Sequence, residues 1–208
     1  TPETPETPET PEMPTPSALG AYRGIVLRLS ALFSLDSAGG GFVVTSMLVL
    51  WLDLRFDLSA RSTATLFFAT GLIGGCSQLL APRIARRIGL VRTMAFTHIP
   101  ANIILAATAF APNGTVAVCL LLLRALFSQM DVPLRQAFVM ATVPPEHRAA
   151  ASSVTNVPRS LASAATPLLA GAILARTTFG WPLLIAGVVK LAYDLLLLAF
   201  YRERAPTV

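Results

Sequence analysis

Residues 116–140 read VAVCLLLLRALFSQMDVPLRQAFVM. The stretch exceeds the roughly 20 residues a helix needs to cross a hydrocarbon core of about 30 Å, yet it holds Arg124, Asp131 and Arg135. A charge at the centre of a membrane helix costs about 2.5–3.5 kcal/mol on insertion scales, so a segment that keeps three of them needs a polar interior to face. Arg124, Ser128, Asp131 and Arg135 follow one another at offsets of 4, 7 and 11 residues, which places all four on one stripe of an otherwise apolar helix. Asp131 and Arg135, at i and i+4, can pair along that helix, and Pro133 between them permits a kink. The stripe reads either as a self-neutralised pair that helps insertion and packing, or as a part of gating, substrate contact or proton coupling.

Five further apolar stretches flank this one, at about Leu29–Leu52, Ala64–Ile84, Thr93–Phe110, Ala150–Ala175 and Trp181–Tyr201. The 208-residue chain is 54% hydrophobic and 13% charged, too apolar for an ordinary soluble domain. The expected fold is an all-α polytopic membrane protein with six transmembrane helices, spanning residues 21–204. Residues 1–20, which open on a Thr-Pro-Glu repeat, read as a disordered tail or linker with no signal-peptide core. Residues 205–208 read as a short cytoplasmic tail. The chain begins without methionine, which suggests a fragment, a processed product or one half of a longer protein.

Loop charges set the orientation. Arg23, Arg28, Arg83, Arg86, Arg87, Arg92, His147, Arg148, Arg202 and Arg204 fall on one side, against Arg55, Arg61 and Arg176 on the other, so both termini are expected in the cytoplasm. The net charge of +5 forms no basic stripe interleaved with aromatics, which excludes nucleic acid as a partner. Abundant arginine and alanine with almost no lysine suggest a bacterial source and hence an inner membrane. Cys76 and Cys119 lie within apolar segments and read as small packing residues.

Other spans carry ionisable groups too. Asp36 lies a few residues into the first. In the fifth, Ser152, Thr155, Arg159, Ser163 and Thr166 share one face, which is expected to meet the polar stripe of the fourth. Counted at 1.5 Å per residue, Asp36, Asp131 and Arg159 fall in the cytoplasmic half of the bilayer and are expected to form a closing network there. Arg124 lies near the midplane, where substrate sites concentrate; contact with an anionic or polar substrate and a brace to a neighbouring helix are both open to it. Weaker candidates are His98, which shares a face with Asn102, and the i, i+4 pair Lys190 and Asp194, read chiefly as structural. No nucleophile–base pair, metal cluster or phosphate loop stands out, so neither an enzyme nor a cofactor is expected.

Three motifs resemble those of the major facilitator superfamily. Gly75–Arg92 (GCSQLLAPRIARRIGLVR) is similar to the basic loop between the second and third helices of each half. Leu123–Gln136 with Pro144–Arg148 (PPEHR) is similar to the arginine-bearing fourth helix and the loop after it. Ala165–Gly171 (ATPLLAG) is similar to the Gly-Pro-x-x-Gly-Gly pattern of the fifth. Ala85 stands where the best-matching members carry an aspartate, and Thr166 and Ala170 replace two glycines. The resemblance covers residues 22–204 and implies the carboxy-terminal half of a twelve-helix secondary transporter working by alternating access. It also implies a second six-helix half, a small-molecule substrate in a shared cavity lined by the first and fourth helices, and Asp36 and Asp131 as protonation candidates. A non-transporting scaffold or an inactive half is the alternative.

Overall fold

A computed structural model of the protein describes residues 16–201. The Thr-Pro-Glu repeat lies outside the described residues, as do Arg202, Arg204 and the short tail after them. The described residues open with 3₁₀ helix at Pro16–Tyr22, where fully buried Leu19 anchors the chain to the core.

Eight α-helices follow: α1 (Arg23–Gly41), α2 (Thr45–Phe56), α3 (Ala60–Ile88), α4 (Leu90–Thr108), α5 (Gly114–Ser128), α6 (Asp131–Thr142), α7 (Arg148–Leu174) and α8 (Trp181–Tyr201). They make six spans long and apolar enough to cross a membrane, with α1–α2 forming the first and α5–α6 the fourth. The all-α polytopic fold is thus as the apolar stretches predict. Turn chemistry marks the ends. Ser59 Oγ accepts from the Ser62 N–H to cap α3, and Asn113 Oδ1 accepts from the Val116 N–H to cap α5. Gly89, at φ 89°, supplies the left-handed conformation that separates α3 from α4. Val143 is held extended by the proline that follows it, which stops α6.

The first and fourth spans are interrupted midway. α1 ends in Gly39-Gly40-Gly41, and the chain leaves helical geometry at Val44 before α2 starts. In the fourth span the break falls at Gln129 and Met130. Pro133 explains it: its ring offers no N–H and collides with the carbonyl four residues back, that of Gln129.

The interior divides into two apolar blocks. One gathers Leu29, Phe33, Met94, Phe138, Tyr193 and Leu197 toward the end of the bundle where the Tyr22 and His147 rings meet at 5.7 Å. The other gathers Leu48, Trp51, Leu105, Ala117, Leu174 and Leu183 toward the opposite end. Between them lie buried Asp36, His98, Asn102 and Lys190. Phe68, Leu72 and Leu79 of α3 and Leu161, Leu168 and Leu169 of α7 face outward, as lipid-exposed positions require. Cys76 and Cys119 also lie exposed, on outer faces rather than in packed interfaces.

Small residues allow the close approaches. α1 packs on α7 and α8, and α4 packs on α8 and α5. A side chain at Gly41 would land on Thr166 Oγ1 and sit 2.7 Å from the Ser163 carbonyl oxygen of α7; one at Gly187 would sit 2.9 Å from the Asn102 carbonyl oxygen of α4. Membrane helices gain stability from such contacts because lipid offers no hydrophobic drive to associate. Gly41→Leu is expected to lower stability by about 1–3 kcal/mol through overpacking, read as a fall in thermal midpoint in detergent. Thr166→Ala should rescue Gly41→Ala only in part, since the Ser163 carbonyl remains in the way.

Candidate functional site

Asp36 is the hub of the polar layer. It stands near the middle of the first span and is 4% exposed. Its Oδ2 accepts from Arg135 Nη2 at 2.7 Å, and its Oδ1 accepts from Lys190 Nζ at 2.6 Å. Arg135 Nη2 also donates to Asp131 Oδ2 one helical turn back on α6, the pair that the i, i+4 spacing predicts. The four side chains therefore make an alternating row, Asp131–Arg135–Asp36–Lys190, whose charges sum to zero. The Arg135 guanidinium also lies over two rings, 5.1 Å from the Phe33 centroid and 5.6 Å from that of Tyr193, within the reach of cation–π attraction.

A second group backs the first. His98 Nδ1 lies 2.9 Å from Asp194 Oδ1 and 4.0 Å from Asp36 Oδ1, so one imidazole nitrogen stands between two carboxylates. Asn102 Nδ2 donates to Asp194 Oδ2 at 2.8 Å, which occupies the other carboxylate oxygen. A carboxylate can only accept, so an ionised Asp194 requires the proton on His98 Nδ1, whereas a protonated Asp194 donates to that nitrogen. Either way a single proton is shared along that bond. Tyr193 meets the His98 ring edge-on at 6.1 Å.

These groups border a cavity of about 600 Å³. Asp36, Asp131, Arg135, Lys190, His98 and Arg124 all line it. Both helix interruptions open on it, through Gly40, Val43 and Thr45 of the first span and Ser128 and Gln129 of the fourth. Gln78 and Thr70 of α3 complete the polar part of the wall. Irregular backbone at membrane depth is tolerated where it lines a polar or water-filled space, and this is such a place. Among the described residues, no set of three or more His, Cys, Asp or Glu side chains is placed to hold a metal ion.

Several expectations need correction. Lys190 and Asp194 do not pair with one another. α8 is wedged between α1 and α4, and each side chain finds a partner across a different interface: Asp36 for Lys190, and His98 with Asn102 for Asp194. They belong to the polar centre, as does His98. Arg159 does not join Asp36 and Asp131. α7 lies against the side of α1 that carries Ser30 and Gly41, where Ser30 Oγ donates to the Val154 carbonyl at 2.8 Å. Arg159 instead lines a pocket with Ser37, Ser160 and Ser163 and one side of a small cleft that also holds Arg135. The polar faces of the fourth and fifth spans do meet at that cleft, where Gln136, Ser152 and Asn156 join the two arginines. Asp36, His98 and Lys190 stand near the midpoints of their spans. Phe33 and Tyr193 were not singled out as site residues. A tyrosine directly beside Asp194 in an apolar helix was the available signal.

No protein-family model matches the chain. It is similar to an uncharacterized membrane protein of Saccharomyces cerevisiae, YJR124C, being 27% identical over 179 residues that cover 85% of this chain. The chain is a polytopic membrane protein. It spans 40% of the length of that yeast relative.

Removing one member of a buried ion pair costs about 3–5 kcal/mol because the other charge is left without a partner. Asp36→Asn strips Lys190 of its only ion-pair partner among the described residues and is expected to fall in that range. Lys190→Met leaves Asp36 bound to Arg135 and should cost less. The double variant Asp36→Asn/Lys190→Met should recover stability relative to Asp36→Asn alone, which a double-mutant cycle of thermal midpoints in detergent measures.

Proposed function

We propose that the chain is one six-helix half of a secondary transporter of small solutes, related to the major facilitator superfamily and working by alternating access. The observation that carries this reading is the cavity of about 600 Å³ set among buried ionised side chains, at the level where the first and fourth spans are both interrupted. Charges persist at membrane depth where they face a polar passage, and carrier sites sit at the midplane beside discontinuous helices. A sealed scaffold needs neither the void nor the breaks. The motifs in Gly75–Arg92 and Leu123–Gln136 support the superfamily assignment, and the aligned segment leaves three fifths of the yeast relative as room for a second bundle. The reading gives the protein no catalytic step and no cofactor.

The arginine-rich loops support a cell-membrane orientation with both ends of the helical domain in the cytoplasm. The relative is fungal, and an arginine-rich composition is no mark of a bacterial source.

The carrier is proton-coupled in this reading, through His98 and Asp194. The imidazole is the side chain best suited to exchange a proton near neutral pH, and here it touches one carboxylate and stands 4.0 Å from Asp36, the hub of the row. A proton on His98 therefore competes with Lys190 and Arg135 for Asp36, which links protonation to the contacts among α1, α6 and α8.

The test is transport in proteoliposomes across a panel of labelled solutes, with and without a pH gradient. Wild-type protein should accumulate at least one solute against its concentration when the gradient is imposed. His98→Gln and Asp194→Asn should retain solute exchange under equal concentrations while losing gradient-driven accumulation. Accumulation unchanged in both variants removes the coupling role; a panel in which nothing moves removes the carrier.

A further inference from the structure

Arg124 differs from every other charge on the cavity wall. Asp131, Arg135, Asp36 and Lys190 neutralise one another by direct contact. Arg124 makes no ion pair or hydrogen bond among the described residues, and its Nε is buried without a partner. The lining thus holds two carboxylates, Asp36 and Asp131, against three fixed cations, Arg124, Arg135 and Lys190. The surplus positive charge resides on Arg124. Asp194 does not offset it at the wall, because it lies outside the lining with both oxygens engaged by His98 and Asn102. A proton on His98 only makes the wall more positive.

Two further features point the same way. α2 starts at Thr45 with no side chain capping its first backbone N–H groups, and Thr45 lines the cavity, so the positive end of a helix dipole faces the same space. One turn from Arg124, Ser128 presents a hydroxyl with no hydrogen bond among the described residues, and the amides of Gln78 and Gln129 are likewise unengaged. An anion on the guanidinium would leave these groups to bind a polar body. The volume lies within the range of about 300–1,000 Å³ typical of small-molecule sites.

We infer that the cavity takes a small organic anion of one net charge, a carboxylate in the simplest case, bound through the Arg124 guanidinium. The inference rests on the carrier reading and adds the substrate class to it. A neutral solute would leave the guanidinium, with its buried Nε, lacking any direct partner, and a cation would meet a wall already positive. A guanidinium offers a carboxylate two parallel N–H donors, which an ammonium cannot reproduce.

Two measurements on the protein as it assembles in its membrane test this. In the first, no solute is needed: Arg124→Gln removes an unpaired charge and should raise the thermal midpoint of the empty protein, whereas loss of a structural brace would lower it and overturn the inference. In the second, proteoliposomes are offered labelled lactate, gluconate and benzoate, the corresponding neutral amides, and choline. At least one carboxylate should be carried while its amide is not. Arg124→Gln should then raise KM on the order of 10- to 100-fold, with Arg124→Lys falling between it and wild type. Carriage of amide and acid alike, carriage of choline alone, or an Arg124→Gln variant with unchanged KM overturns the anion assignment while leaving a carrier in place. If no solute of any charge crosses, the carrier reading falls and the anion assignment falls with it.

Discussion

One carboxylate holds the centre of this bundle together. Asp36 receives Arg135 from α6 on one oxygen and Lys190 from α8 on the other, so three spans distant in sequence are tied at a single buried point. Each of the three charges is met there by an opposite one in direct contact, which offsets much of the cost of burying it. The geometry that makes the row Asp131–Arg135–Asp36–Lys190 neutral is therefore also the condition for the helices to assemble in this arrangement.

Around that point the helices follow simple rules. The apolar length of each stretch produces a span, capping residues and prolines set its ends, and small residues decide which pairs approach closely. The two departures from regular helix, after Gly39-Gly40-Gly41 and ahead of Pro133, occur at the polar layer itself. Backbone groups freed by a break at membrane depth need polar neighbours, and the cavity with its hydroxyls, amides and charges provides them.

Much of this was legible in the residues. Six spans, the Asp131–Arg135 pair and the kink near Pro133 follow from local spacing, which operates along one helix and needs no knowledge of neighbours. What spacing conveys poorly is the direction in which a polar face points once helices pack. Lys190 and Asp194 look self-satisfied at i and i+4, yet each finds a better partner across an interface. Arg159 sits on as regular a polar face as Arg124 does, but with α7 packed on α1 at Gly41 it lines a side pocket and the cleft beside Arg135, not the main cavity. His98 and Asn102 were recognisable as a shared face, while their partner on α8 depends on the close approach allowed by Gly187, a glycine that no local pattern distinguishes.

The sandwiching of an ionic sheet between two oily blocks gives the molecule an unusual mechanical character. Interdigitated hydrocarbon resists sliding because every shift opens voids, whereas a plane of ion pairs can trade one partner for another at nearly constant distance. Shear between the two ends of the bundle is therefore expected to concentrate in the layer of Asp36, His98 and Lys190, with both greasy ends travelling as rigid blocks and the interrupted first and fourth spans serving as its hinges.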